Sequence, residues 1–208
     1  MKPRLRGVSH QIACGVAAIA GLALVLRAPA GSARIAAGVY AVCLVGLLGI
    51  SAAYHRPTWR PAARAWMRRL DHAAIFLLIA GTYTPFCRAL AAHDGATVRT
   101  VVWCGALAGI LQSLLWVAAP RPVSVAIYMA LAWCVVPYIP RLYASVGGWP
   151  MALLLVGGAV YSAGAVIYAR RRPDPVPAVF GYHEVFHALV IVAAALHFTA
   201  VSLVVVRG

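Results

Sequence analysis

Two histidines four residues apart, His183 and His187, stand in the string Tyr182-His183-Glu184-Val185-Phe186-His187 at the start of the last apolar run. On a helix that spacing places both imidazoles on one face, about one turn apart, as two ligands of a single metal ion require. His55 closes an earlier apolar run, and Leu70-Asp71-His72 opens the next one. A third imidazole at the depth of the pair completes the three-protein-ligand set typical of catalytic zinc, which leaves a fourth position for water. Asp71 would then hydrogen-bond that water or orient a ligand. Ser51, one turn before His55, would face the same way and donate to a bound oxyanion. Imidazole also suits copper, iron and nickel, so the residue types point to a metal before they point to zinc. The competing reading is an interfacial belt in which the histidines merely meet headgroups and water.

The same string matches the H-E-x-x-H pattern of zinc proteases, where the Glu is the general base. A four-letter match is cheap. Glu184 reads equally well as an edge residue pairing one of Arg170 to Arg172, or as a partner of a histidine. His72 adjoins Asp71 but points about 100° away on a helix, and His93 is expected in a loop with Asp94 and Gly95. His197 falls ~15 Å deeper on the last helix by helical rise. It and His10, near the start of the first span, are expected to bond neighbouring helices together or to line a route to the metal.

The elements that must position these groups are membrane spans. Of 208 residues 63% are hydrophobic and 11% charged, which departs from the balance of a soluble domain and makes lipid the solvent. Seven apolar stretches, roughly 10–27, 34–55, 72–92, 98–118, 122–140, 149–169 and 183–206, each approach the ~20 residues that cross a ~30 Å hydrocarbon core. The fifth contains Pro137 and Pro140 and is expected to kink or stop early. Short connections make sequential helices antiparallel neighbours. Stretches such as Gly15-Val16-Ala17-Ala18 and Gly157-Gly158-Ala159 should let backbones approach closely. The chain reads as one all-α domain over residues 1–208. Its five cysteines lie singly in apolar runs, without a C-x-x-C pair, and read as small buried hydrophobes rather than disulfide or metal partners. Lys2, Arg4 and Arg6, an apolar stretch and Ala28-Pro29-Ala30 loosely resemble a secretory signal, but the first span is expected to stay as a helix of the bundle.

The formal charge of +14 raises nucleic acid as a partner, yet the arginines sit in short segments between apolar runs and do not line a soluble face. Nucleic acid is excluded on that ground. Counted on alternate sides, twelve basic residues (Lys2, Arg4, Arg6, Arg56, Arg60, Arg64, Arg68, Arg69, Arg121 and Arg170 to Arg172) oppose six (Arg27, Arg34, Arg88, Arg99, Arg141 and Arg207). The positive-inside rule then puts the N-terminus in the cytoplasm and the C-terminus outside. With that topology His55, Asp71, His183 and His187 reach one depth on one side, from three separate spans. Ionisable groups in spans cost ~2.5–3.5 kcal/mol for Asp at a helix centre, so these are functional candidates by default.

Three motifs in order resemble the hemolysin III-like family, bacterial relatives of the progestin and adipoQ receptors, adiponectin receptors included. They are Ser51-x-x-x-His55 closing the second span, Leu70-Asp71-His72-x-x-Ile75 with Ala80-Gly81-Thr82-Tyr83-Thr84-Pro85 in the third, and His183-Glu184-x-x-His187 opening the last. The resemblance implies a seven-helix bundle with its N-terminus inside, zinc on His55, His183 and His187, and Asp71 reaching the metal through water. It also links the chain to membrane hydrolases, ceramidases among them. Near the first span such proteins tend to carry an acidic residue and an Asn ahead of a His; here only Ser9-His10 remains, with Arg6 and Gly7 where the Asn would fall. The leading expectation is a zinc-dependent hydrolase of a lipid amide or ester in a bacterial inner membrane, with membrane lipids as its surroundings and substrate. A sensor of membrane lipid state with structural zinc is the alternative, and a pore-forming haemolysin the third.

Overall fold

The structure is a computed structural model that describes residues 3–116 and 119–207, for residue 207 the backbone alone. Lys2, counted above among the basic residues, and the last two positions of the expected fourth span lie outside the described residues. Seven helical segments are long and apolar enough to cross a membrane. They are α1 (Val8–Arg27), α2 (Ser32–His55), α3 (Pro61–Ala89), α4 (Ala92–Leu115), a broken fifth span made of α5 (Arg121–Ala132), a 3-10 turn (Val136–Tyr138) and α6 (Ile139–Val146), then α7 (Gly148–Arg170) and α8 (Tyr182–Arg207).

From α1 to α4 each helix packs on the next; α7 packs on α8, and α8 closes the bundle against α1, α2 and α3. Helix periodicity explains which side chains go inside. On α2 the buried residues Leu44, Leu48, Ser51 and His55 recur in steps of three and four, which is one helical face. On α8 His183, His187, Val190, Ala194 and Val201 form the matching face. The outer face of α1, with Ile12, Val16, Ile19, Leu22 and Leu26, is exposed, as lipid-facing positions should be. Close approach is set by small residues at specific points: a Cβ on Gly81 would sit 2.7 Å from Cys43 Cβ, so only glycine lets α3 meet α2 there. Gly157 plays the same part for α7 against the His197 ring of α8, whereas Gly15 has no such neighbour within 4 Å. The five cysteines are all free; Cys87 is buried, but Cys104 is exposed rather than packed inside. Ala28, in the stretch that resembled a cleavage site, is buried, and its carbonyl accepts from the Arg34 guanidinium at 3.0 Å.

Two boundaries differ from the sequence expectation, and the break expected in the fifth span is present. α3 begins at Pro61, not at residue 72, because Pro at its first position pre-sets the backbone and the Ala, Arg, Trp and Met that follow favour helix despite their charge. Asp71 is therefore three turns inside a helix. α4 begins at Ala92, so His93 and Asp94 belong to its first turn, where Asp94 suits the helix dipole and pairs with Arg141 at 3.2 Å. The fifth span breaks after Ala132, since Pro137 and Pro140 supply no N–H to continue the ladder. One phenol repairs the gap: Tyr83 donates its hydroxyl to the Ala132 carbonyl at 2.6 Å and accepts from the Val135 N–H at 3.1 Å. In lipid each such backbone group left unpaired would cost several kcal/mol.

Candidate metal centre

The last turn of α2 and the first two turns of α8 meet at the end of the bundle where α1 and α3 begin. Each local segment has its own reason to hold. Trp59 folds back to donate to the Ala53 carbonyl at 3.0 Å, closing the end of α2. At the start of α8, Asp174 accepts the Tyr182 N–H at 2.7 Å, and Glu184 reaches back to the Gly181 N–H at 2.9 Å. The second contact is a capping-box bond, in which the third helical residue satisfies the N-cap amide. The other Glu184 oxygen takes the Arg6 guanidinium. Both carboxylate oxygens are thus engaged in holding the helix start, so Glu184 pairs with Arg6 and not with Arg170 to Arg172, and its fit to the zinc-protease pattern has a structural explanation.

His55, His183 and His187 converge. One ring nitrogen or the other of all three lies within 4.8 Å of its fellows, and all three residues are buried. His183 Nε2 is 3.1 Å from His55 Nε2. A contact of that length is a hydrogen bond when one of the two nitrogens carries the proton, and it is also a separation at which both could bind one cation. Two ligands of a tetrahedral ion at bond lengths of roughly 2.0–2.1 Å would be about 3.3 Å apart, close to what is seen. His187 Nδ1 is buried without a hydrogen-bond partner, a costly state in a bundle interior. The three histidines form a group that could hold a metal ion.

Asp71 stands beside this set rather than in it. Its Oδ2 is 3.9 Å from His55 Nε2, beyond direct hydrogen-bond reach. Ser51, buried on the same face of α2 as His55, lines the cavity together with Asp71. His72 also lines the cavity beside Asp71, but its Nδ1–H donates to the Arg68 carbonyl at 2.8 Å, the backbone of its own helix. His93 is exposed on α4, remote from the cluster in the chain order of the bundle. His197 binds the Leu154 carbonyl of α7 through Nε2 at 3.0 Å, the helix-bonding role. His10 is the surprise, because its ring lies flat on His187, with centroids 3.8 Å apart and planes 5° from parallel.

The cluster borders a cavity of about 610 Å³ enclosed by α2, α3, α5, α7 and α8, within the roughly 300–1,000 Å³ of sites that enclose small-molecule ligands. Its far part is apolar, with Ile79, Phe86, Met129 and Leu154 among the walls, and His197 lines it as well. Its near part carries Arg64, Arg68 and Arg121. Sequence reasoning placed these three among the connecting segments. The signal that would have found two of them is the spacing Arg64, Arg68, Asp71, Ile75, which carries the inward face of α3 back past Asp71 in steps of four, three and four.

The comparisons with known proteins agree with this architecture. Over 198 residues the chain is 31% identical to Hemolysin-3 of Bacillus cereus, covering 93% of this chain and 87% of that one. A Hemolysin-3 homolog of Bacillus subtilis is 34% identical over 133 residues, 64% of this chain, and the match spans 60% of that protein, less than two thirds of its length. The adiponectin receptor protein of Drosophila melanogaster is 26% identical over 189 residues, 81% of this chain but 42% of the receptor. The profile of haemolysin-III related proteins matches residues 1–198, and with seven spans and a histidine triad at one end of the bundle the chain belongs to that family of multi-pass membrane proteins.

Proposed function

We propose that the protein is a zinc-dependent hydrolase of a lipid amide or ester, working in a bacterial inner membrane with its histidine end toward the cytoplasm. The observation that carries this reading is the juxtaposition of three buried imidazoles with a large cavity whose far walls are apolar. An acyl chain fits those walls, and its carbonyl then lies near the histidines. The orientation rests on the excess of basic residues at the histidine end. His55, His183 and His187 would hold the zinc, which when bound supplies Lewis acidity and activates water near neutral pH.

The remaining steps belong to side chains of this chain. Asp71 takes the proton from the attacking water and returns it to the leaving amine or alcohol. Ser51, one turn from His55, donates to the carbonyl oxygen as charge develops there. Glu184 has no part in the reaction, since both its oxygens are engaged with Arg6 and the Gly181 amide. The test is turnover of a panel of lipid amides and esters by detergent-purified, zinc-loaded protein, against the same protein stripped by chelator. Hydrolysis that vanishes on stripping and returns with zinc supports the reading. A folded, fully loaded protein that turns over none of the panel sinks it.

A second reading is favoured by one feature: the histidines come from both α2 and α8, and His10 of α1 stacks on them. A metal there would pin helices, as a lipid-state sensor with structural zinc needs. His55→Ala separates the two readings, because an unfolded product supports the sensor and a folded, inactive one the hydrolase.

A further inference from the structure

Most cations at the histidine end can be explained as the charges that orient a membrane protein. Arg56, Arg60 and Arg170 to Arg172 lie outside the cavity walls, and Arg6 is matched by Glu184. Arg64, Arg68 and Arg121 line the cavity, as Arg6 also does, but differ from it in their pairing. The whole chain has only four acidic residues. Asp94 pairs with Arg141 at the opposite end, Asp174 caps the start of α8, and Glu184 holds Arg6. Asp71 stands by His55. Among the described residues no carboxylate forms an ion pair with Arg64, Arg68 or Arg121.

Aromatic faces hold two of these guanidinium groups. Arg64 lies over the Tyr54 ring at 5.7 Å, and Arg121 over Tyr168 at 5.4 Å. Such contacts orient a guanidinium while leaving its N–H groups unused. Three guanidinium groups that line one cavity without a carboxylate partner make a site for an oxyanion, since guanidinium groups pair phosphate and carboxylate oxygens strongly.

The order of groups along α3 fixes where that anion would sit. From the basic end inward the cavity-lining face reads Arg64, Arg68, Asp71, Ile75, Ile79 and Phe86. By helical rise Arg68 lies about 4.5 Å and Arg64 about 10 Å outward of Asp71; inward the walls are mostly apolar, and Thr82, Tyr83 and His197 there give their polar groups to helix carbonyls. That is the order of groups in an amphiphile: anion, polar junction, hydrocarbon. We propose that Arg64, Arg68 and Arg121 form a subsite for the anionic headgroup, a phosphate or a carboxylate, of an acyl lipid whose chain runs past Asp71 into the apolar part of the cavity. The proposal rests on the lipid reading of the cavity but not on turnover.

The test measures binding to the full-length purified protein, by native mass spectrometry, of a lysophosphatidate, a fatty acid and a monoacylglycerol with the same acyl chain. The expected result is about tenfold or more tighter binding of an anionic lipid than of the neutral one. The tighter of the two anions identifies the headgroup. Combined substitution R64Q, R68Q and R121Q should abolish that preference while the monoacylglycerol binds as before; R170Q, R171Q and R172Q together, which remove equal charge from outside the cavity, should leave it intact. Equal affinity for neutral and anionic lipids in the wild type overturns the proposal without recourse to any variant. So does an equal loss in the two triple variants. Absence of binding by all three lipids removes the lipid reading as well. A His183→Ala, His187→Ala protein that has lost metal and turnover but keeps the anion preference separates the subsite from the hydrolase.

Discussion

Two regions of α8 carry the same side chain to different ends. At the start of the helix His183 and His187 turn their rings toward His55, and His183 Nε2 lies 3.1 Å from His55 Nε2. Three turns further on, His197 gives Nε2 to the Leu154 carbonyl and fits the space left by Gly157. Both places are poor in water, so every ring nitrogen needs a partner. Deep in the bundle a protein carbonyl meets the need. At the basic end the nitrogens are aimed at one another, an arrangement a shared cation satisfies. A histidine in a span is therefore diagnostic only when its nitrogens have not been consumed by the neighbouring helix.

That contrast can be tested by substitution at each place. The largest effect is expected from His183→Ala with His187→Ala: elemental analysis should fall from about one metal per chain to almost none, since three protein ligands become one. Metal retained in the double variant would put the ion elsewhere. Asp71→Asn comes next. It should keep its metal but lose roughly 100-fold or more in turnover, the usual contribution of a positioned proton acceptor, and equal loss of metal would make Asp71 a ligand. Glu184→Gln keeps the capping bond and discharges the partner of Arg6, so unfolding in mixed micelles should show a cost of about 1.5–3 kcal/mol with the metal content unchanged. The smallest effect belongs to His197→Leu. Freeing one carbonyl between α7 and α8 should cost about 0.6–1.7 kcal/mol, the range for hydrogen bonds between membrane helices, and again spare the metal.

Much of this arrangement is legible in the residues themselves. Apolar run length gives the seven spans, and topology then brings His55, Asp71 and the His183 pair to one end. The start of α3 is not legible by the same means: Arg64, Arg68 and Arg69 count against a hydrocarbon segment, yet a helix persists beyond the hydrocarbon when its residues favour it. Pro137 and Pro140 announce a break in the fifth span, but nothing local announces that Tyr83, 49 residues before Ala132, repairs it. The His10 stack and the Arg6 pair with Glu184 are further still from view, because they depend on how the first helix meets the last.

Those two contacts have a consequence for biosynthesis. Arg6 emerges from the ribosome 178 residues ahead of Glu184, and His10 is almost as far ahead of His187. Through the insertion of six helices the N-terminal cation lacks its carboxylate, and the histidine its stacking partner. The N-terminal segment also waits, since its Arg4 and Leu5 amides bond the Ala178 and Val179 carbonyls just ahead of α8. Completion of the histidine triad and fastening of the segment ahead of α1 to the loop ahead of α8 are thus one late event in synthesis, and a ribosome stalled before α8 would leave a bundle with neither.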